Sequence, residues 1–161
     1  MGQVVVEHPV SSDALAISLL FQQDMANLGM TPAAQDLNIL ASEVVEQSLD
    51  PNGRCVMWVA RLTPDGAPIG VILGIRSWSL KFGGPSIWIE ELYVDPAARR
   101  LGLGRLLVEV LLDWAEDNGI FGVDLEAYQG NTPASILYRS VGFQRIGRER
   151  FYFNLVSARR L

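Results

Sequence analysis

The spacing of apolar and polar positions changes several times along the chain, and each change marks an element. Val4 to Val6 reads as a short opening strand. Ser11, Ser12 and Asp13 then offer caps for a helix running toward Leu28, with Leu15, Leu19 and Met25 among its apolar positions, and Gly29 ends it. Thr31-Pro32 restarts a helix, with Thr as cap and Pro at the first helical position, where no N–H is needed. Leu37, Leu40, Val44 and Val45 follow at helical spacing until the turn cluster Asp50-Pro51-Asn52-Gly53. Cys55 to Leu62 and Ile69 to Trp78 read as a hairpin joined by Thr63-Pro64-Asp65-Gly66. A third strand, Ser86 to Val94, comes after the loop Lys81-Phe82-Gly83-Gly84-Pro85. Helical spacing returns from about Gly102 to Asp117, with Leu103, Leu106, Leu107, Val110, Leu111 and Trp114 along one stripe. Gly122 to Tyr128 is a further strand, Thr132-Pro133 caps a short helix through Ser140, and Phe143 to Ile146 and Phe151 to Val156 close the chain as two strands.

The order β-α-α-β-β-β-α-β-α-β-β describes a single α/β (mixed α+β) domain over residues 1–161. Its central mixed sheet is antiparallel early and parallel around the long helix. No internal repeat or low-complexity linker divides it, and Ser157-Ala158-Arg159-Arg160-Leu161 reads as a solvated tail.

Composition narrows the chemistry. The net charge of -5 argues against nucleic acid, which is bound through clustered Lys and Arg, and suits a cationic partner. No apolar run is long enough to span a bilayer. Met1-Gly2-Gln3-Val4 has no basic export region, and Val6 stands where a myristoylation signal needs Ser or Thr, so a cytoplasmic location is expected. The single cysteine, Cys55, excludes an internal disulfide and a Cys-rich zinc site, and no metal is expected. The single histidine, His8, falls in the first strand and is a poor member of a nucleophilic triad. Catalysis then falls to carboxylates, tyrosine, backbone groups or water.

The most informative stretch is Val94-Asp95-Pro96-Ala97-Ala98-Arg99-Arg100-Leu101-Gly102-Leu103-Gly104-Arg105, where a strand passes into a helix. First-turn N–H groups there lack intrahelical partners, the helix dipole favours an anion, and glycines let the backbone approach a bulky phosphate. Arg99, Arg100 and Arg105 add positive charge, so the loop predicts a di- or polyphosphate. The same glycines would also serve merely to pack a helix on a strand. A dinucleotide fingerprint needs glycine where Leu107 stands, and a P-loop needs Gly-Lys-Ser/Thr where Gly104-Arg105-Leu106 stands, so both fail. What remains is Arg-x-x-Gly-x-Gly from Arg99 to Gly104.

In this motif the chain resembles the GNAT superfamily of N-acetyltransferases, whose pyrophosphate loop has the form Gln/Arg-x-x-Gly-x-Gly/Ala. The flanks agree. Ile89-Glu90-Glu91-Leu92-Tyr93-Val94 looks like the family's fourth strand, and Asn131-Thr132-Pro133-Ala134 through Tyr138 to Gly142-Phe143 looks like its Asn-x-x-Ala-x-x-x-Tyr…Gly-Phe block. The resemblance covers roughly Ser86 to Phe143. It implies acetyl-CoA as co-substrate and a fourth and fifth strand that splay apart. Backbone groups of Leu92, Tyr93 and Val94 would then meet the pantetheine arm. N–H groups over Arg99, Arg100, Leu101, Gly102, Leu103, Gly104 and Arg105 would hold the pyrophosphate, and Asn131 and Ala134 would touch the cofactor. A homodimer is a further expectation from the resemblance, although no interface stripe is legible.

An amine attacks a thioester only as a neutral nitrogen, whereas a free alkylammonium has a pKa near ~10.4, so a group must accept its proton. Glu90 and Glu91 are the candidates. Side chains alternate along a strand, so one of the two is expected to face the site. The resemblance selects Glu90 as base and Glu91 as a substrate-binding residue, and assigns Tyr138 as the acid that protonates the departing thiolate. A solvated or ion-paired role for either glutamate, and an ordinary helix-face role for Tyr138, are the plain alternatives. Direct transfer is expected, because Cys55 lies outside the motif.

The acceptor pocket of the family uses the first two helices and the loop before the fourth strand, where the sequence says least. The run Trp88 to Val94 after a Gly-Pro loop resembles the diamine and polyamine acetyltransferase branch, and paired carboxylates in an acidic chain fit a small-molecule amine such as a small polycation. An aminoglycoside, an amino acid or a protein N-terminus fits almost as well. A silent acyl-CoA sensor and a protein-binding adaptor are the readings outside catalysis.

Overall fold

A computed structural model of the chain describes residues 3–29 and 34–155. The readings made for Met1-Gly2, Thr31-Pro32, Val156 and the tail Ser157 to Leu161 lie outside them. The elements are β1 (Val5–Glu7), α1 (Ala14–Asn27), α2 (Ala34–Leu49), β2 (Cys55–Arg61), β3 (Gly70–Ser79), β4 (Gly84–Val94), α3 (Leu103–Asp117), β5 (Gly122–Leu125) and α4 (Thr132–Ser140). The strands form one sheet in the order β1-β2-β3-β4-β5. Pairing is antiparallel from β1 to β4 and parallel between β4 and β5.

Two apolar layers explain why the strands read as nearly continuous hydrophobic runs. Ile17, Leu20 and Phe21 of α1 and Leu37, Ala41 and Val45 of α2 pack on Met57, Val59, Val71, Leu73 and Tyr93 from one face. Leu103, Leu107, Val108 and Leu111 of α3 pack on Val56, Trp58, Ile72, Ile87 and Ile89 from the other. Covered on both sides, β2 buries every residue. The buried stripe of α1 is not the expected one: Leu15 and Leu19 are exposed, and Ile17, Leu20 and Phe21 face inward. Leu40 of α2 is likewise exposed.

A polar clamp ties the N-terminal turn Ser11–Asp13 to the β2–β3 connection. Arg61, buried at the end of β2, reaches Asp13 at 2.6 Å, Glu7 at 2.8 Å and the carbonyl of Gly66 at 2.9 Å. Burial pushes the Asp13 carboxyl up, but hydrogen bonds from Arg61 and Val10 and the guanidinium charge outweigh it and leave it below its usual range.

The expected order holds up to α4, and the two closing strands do not form among the described residues. β5 stops at Leu125, short of Tyr128, which leaves little ladder for a further strand to join. Gly142, at φ +106°, bends the chain, and Phe143 turns into the core against Tyr138 with ring centroids 5.8 Å apart. Beyond it Phe151, Tyr152 and Phe153 alternate with nothing, since all three are at least 77% exposed. Arg150 is held instead by Glu126 and lies over the Trp88 ring at 4.3 Å.

Candidate active site

β4 changes partner halfway along its length. It pairs with β5 only from Ser86 to Ile89, opposite Gly122 to Leu125, and then runs on to Val94 beside β3 alone. The strands therefore splay, as expected. The N–H of Asp95 donates to the carbonyl of Ile69 at 2.8 Å, which fixes the phase of the β3–β4 ladder. Bonded and non-bonded pairs alternate in an antiparallel ladder, so Tyr93 and Glu91 bond to Val71 and Leu73. Leu92 and Val94 then turn their N–H and C=O groups away from β3, into the gap on the β5 side. The carbonyl of Val94 already accepts from Arg99 Nε at 3.1 Å. Tyr93 is not brought to the gap. Its side chain is buried with α1, and its hydroxyl donates to Gln23 at 3.3 Å and accepts from Asn27 at 3.4 Å.

A bulge sits between these two regimes. The register passes from Leu73↔Glu91 to Gly74↔Ile89 and leaves Glu90 as the extra residue. Before it Ile87 and Ile89 face α3, and after it Leu92 and Val94 do so. Glu90 and Glu91 consequently share the opposite face. The expectation that strand alternation admits only one of them fails for this reason. Glu90 is exposed and accepts from the Trp88 indole at 2.9 Å. Glu91 is half-buried; burial first, then hydrogen bonding with and the charge of Asp24 of α1, push its carboxyl up to about 9. Asp24 carried no signal in the sequence, because an exposed-looking acid within a helix reads as a solvated face.

At the end of β4 the chain makes a 3-10 turn, Pro96–Ala98, capped by the Asp95 carboxylate, which accepts from Ala97 N at 2.8 Å. Arg100 at φ +70° and Gly102 at φ +75° then adopt left-handed backbone, and Gly102 is the N-cap of α3. The first intrahelical bond of α3 runs from Leu106 N to Gly102 O at 3.0 Å, so the N–H groups of Leu103, Gly104 and Arg105 precede the ladder. Arg100 and Leu101 are exposed. Arg105 is pinned: it contacts Glu109 at 2.7 Å and donates to Ser140 of α4 at 3.1 Å. A Cβ on Gly104 would stand 3.5 Å from Leu137 and 4.0 Å from Val94, so β4, α3 and α4 converge at this residue.

α4 completes the site. Asn131, and not the expected Thr132, is its cap, accepting from Ala134 N at 3.4 Å. Its Oδ1 is committed to the helix. Tyr138 packs with the α3-side core, yet burial first and then the charges of Glu91 and Asp24, from the other face, raise its phenol to about 12. Two hollows lie elsewhere: one of about 480 Å³ beside Arg61 and Pro64, and one of about 230 Å³ beside Arg76 and Trp78. Cys55 is buried against α2, and burial pushes its thiol up. Among the described residues no group of three or more His, Cys, Asp or Glu converges as metal ligands, and no helix is long and apolar enough to cross a membrane.

Known proteins resemble this chain. The chain is 41% identical over 70 residues to the N-alpha-acetyltransferase RimI of Mycobacterium tuberculosis, a stretch of 44% of this chain and 42% of that one. It is 30% identical over 137 residues to an uncharacterized N-acetyltransferase of Schizosaccharomyces pombe, covering 84% of this chain and 78% of the relative. The chain thus spans less than half the length of the mycobacterial relative. A crystal structure of a possible acetyltransferase from Clostridium difficile superposes with a TM-score of 0.79 at 19% identity, over 94% of this chain and 97% of that one, a likeness of fold. The model of the Acetyltransferase (GNAT) family matches residues 23–143, a span that runs from the α1 residues over β4 to Phe143 behind Tyr138. With the splayed strands, the left-handed loop and the Tyr138 helix all inside that span, the chain belongs to the GNAT family of acetyltransferases.

Proposed function

We propose that the chain is an acetyl-CoA-dependent N-acetyltransferase that moves an acetyl group directly onto a primary amine. The observation that carries this reading is the backbone edge of Leu92 and Val94 beyond the end of the β5 ladder, facing a gap that ends at the N-terminus of α3. The amide-rich pantetheine arm would continue the sheet along that edge. The N–H groups from Arg100 to Arg105 would take the pyrophosphate, with the Arg100 side chain nearby, and Asn131 Nδ2 and Ala134 would flank it. Arg99 and Arg105, bonded within the protein, shape the loop. Bound acetyl-CoA supplies an activated acetyl group, and this chain supplies proton handling on either side of it. Glu90 accepts the proton of the incoming amine, directly or through water. Tyr138, held protonated across the neutral range, donates to the departing sulfur. The buried thiol of Cys55 leaves direct transfer as the route.

The acceptor that fits best is a small cationic amine of the polyamine type, because Glu90, Glu91 and Asp24 gather acid on the face α1 covers. A protein α-amine is a second reading, favoured by the name of the mycobacterial relative. A homodimer is carried as an expectation from the resemblance. Calorimetric titration of acetyl-CoA into wild type and Gly104→Val, followed by a thiol-release assay with spermidine, putrescine and a peptide bearing a free N-terminus, tests the reading. Binding that Gly104→Val weakens at least about tenfold, with release on spermidine and putrescine, is expected. Absence of binding by folded protein overturns the enzyme reading, and release on the peptide alone replaces the acceptor.

A further inference from the structure

Glu90 stands where β4 and β5 part. The last paired residues of the two strands are Ile89 and Leu125, and Glu90 is both the next residue of β4 and the extra residue of the bulge. Its side chain is exposed, yet it is held on one side. The indole Nε1–H of Trp88 donates to Glu90 Oε2 at 2.9 Å. Trp88 itself lies within the paired part of β4, between Ile75 of β3 and Asp124 of β5, so its backbone is fixed from both sides. Its side chain is half-buried, and the Arg150 guanidinium lies over the ring at 4.3 Å from the centroid. Arg150 is in turn ion-paired with Glu126, the residue that follows the end of β5. A cation that touches Trp88 and Glu126 thus spans the two strands close to where they separate, and it braces the indole that holds Glu90.

A base takes a proton only from within hydrogen-bond reach. A glutamate side chain is long and freely rotating, so holding it in one orientation costs conformational entropy. An indole is rigid and carries a single N–H donor. We propose that Trp88 is a positioning residue for acetyl transfer: its indole N–H holds Oε2 of Glu90 and thereby aims Oε1 at the acceptor's ammonium. The inference rests on the reading of Glu90 as base. In the step, an N–H bond of the ammonium breaks, its electron pair stays on nitrogen, and the proton passes to Oε1. The indole proton stays on Nε1, so Trp88 acts through Glu90 alone. Trp88→Phe keeps an aromatic face for Arg150 and removes the donor.

The test uses the full chain as wild type, Trp88→Phe, Glu90→Gln and the double variant, each checked by circular dichroism and acetyl-CoA affinity. Trp88→Phe is expected to lower kcat about tenfold, while the acceptor KM and the acetyl-CoA Kd stay within about twofold. Glu90→Gln is expected to lower kcat about a hundredfold. Adding Trp88→Phe to it should cost less than about twofold more, because the group that Trp88 aims is already gone. The indole N–H resonance of Trp88, assigned by its loss in Trp88→Phe, reports the hydrogen bond without turnover. It is expected to move upfield in Glu90→Gln, where a neutral oxygen replaces a charged one. A folded Trp88→Phe enzyme as fast as wild type overturns the proposal, and so does a double variant about tenfold slower than Glu90→Gln. A loss carried by KM instead of kcat makes Trp88 an acceptor-binding residue and overturns it as well, and an indole resonance that Glu90→Gln leaves in place does so at the bond itself. A Glu90→Gln enzyme as fast as wild type overturns the base reading and the proposal with it. A shifted indole resonance in that same variant then shows that the bond exists and that the base reading is what failed.

Discussion

Tyr138, the proposed acid, sits where two requirements meet. A general acid must keep its proton until charge develops on the leaving atom, and a phenol raised to about 12 by burial and by Glu91 and Asp24 does so throughout the neutral range. The packing of its ring against Phe143 and the α3-side core is independent of the hydroxyl. Tyr138→Phe is accordingly expected to leave folding and acetyl-CoA affinity within about twofold and to lower kcat by about a hundredfold or more. Single-turnover kinetics beside calorimetry check it. An unchanged kcat removes Tyr138 from the mechanism. A lost affinity would mean instead that the hydroxyl holds the cofactor.

At the scale of elements, the clamp between the Ser11–Asp13 turn, β2 and the β2–β3 connection is the most exacting contact. Removing one partner of a buried ion pair strands the other, at a cost of about 3–5 kcal/mol. Arg61→Met is expected to lose about that much in urea unfolding, and Arg61→Met with Asp13→Leu to recover most of it. The pH dependence has a defined sign. The folded-state pKa of Asp13 is depressed, so its contribution is full above the unfolded value and is lost as pH falls through the folded one. Wild type should therefore weaken on acidification below about pH 4, and the double variant less so. The sequence made most elements legible because their apolar spacing is forced by burial, as in Leu103, Leu107 and Leu111 of α3. It concealed features set by pairing. The bulge at Glu90 appears only once β3 lies alongside, and Phe151 and Phe153 alternate like a strand although no ladder receives them. Asn131 and Thr132 are both good caps, and which one serves depends on where α4 docks.

Across the whole molecule, the sheet is continuous from β1 to β4, while β5 joins through its short parallel ladder alone. Everything proposed to handle acetyl-CoA lies along that seam: the edge of β4, the start of α3 and the face of α4. The loop motif was legible because left-handed and N-terminal backbone selects glycine. Asp24 was not, because its partner is distant in sequence and the contact is made by the docking of α1 on β4. If a ligand completes the sheet at this seam, the backbone must report it with a two-residue rhythm. The amides of Glu91 and Tyr93, bonded to β3, should exchange slowly with or without acetyl-CoA. Those of Leu92 and Val94, turned into the gap, should exchange quickly in the free protein and slow by about tenfold or more on binding. Hydrogen exchange read by NMR at single-residue resolution separates this from general stiffening, which would slow all four together. Equal protection of Leu92 and Val94 before and after binding would mean that the ligand does not use the β4 edge.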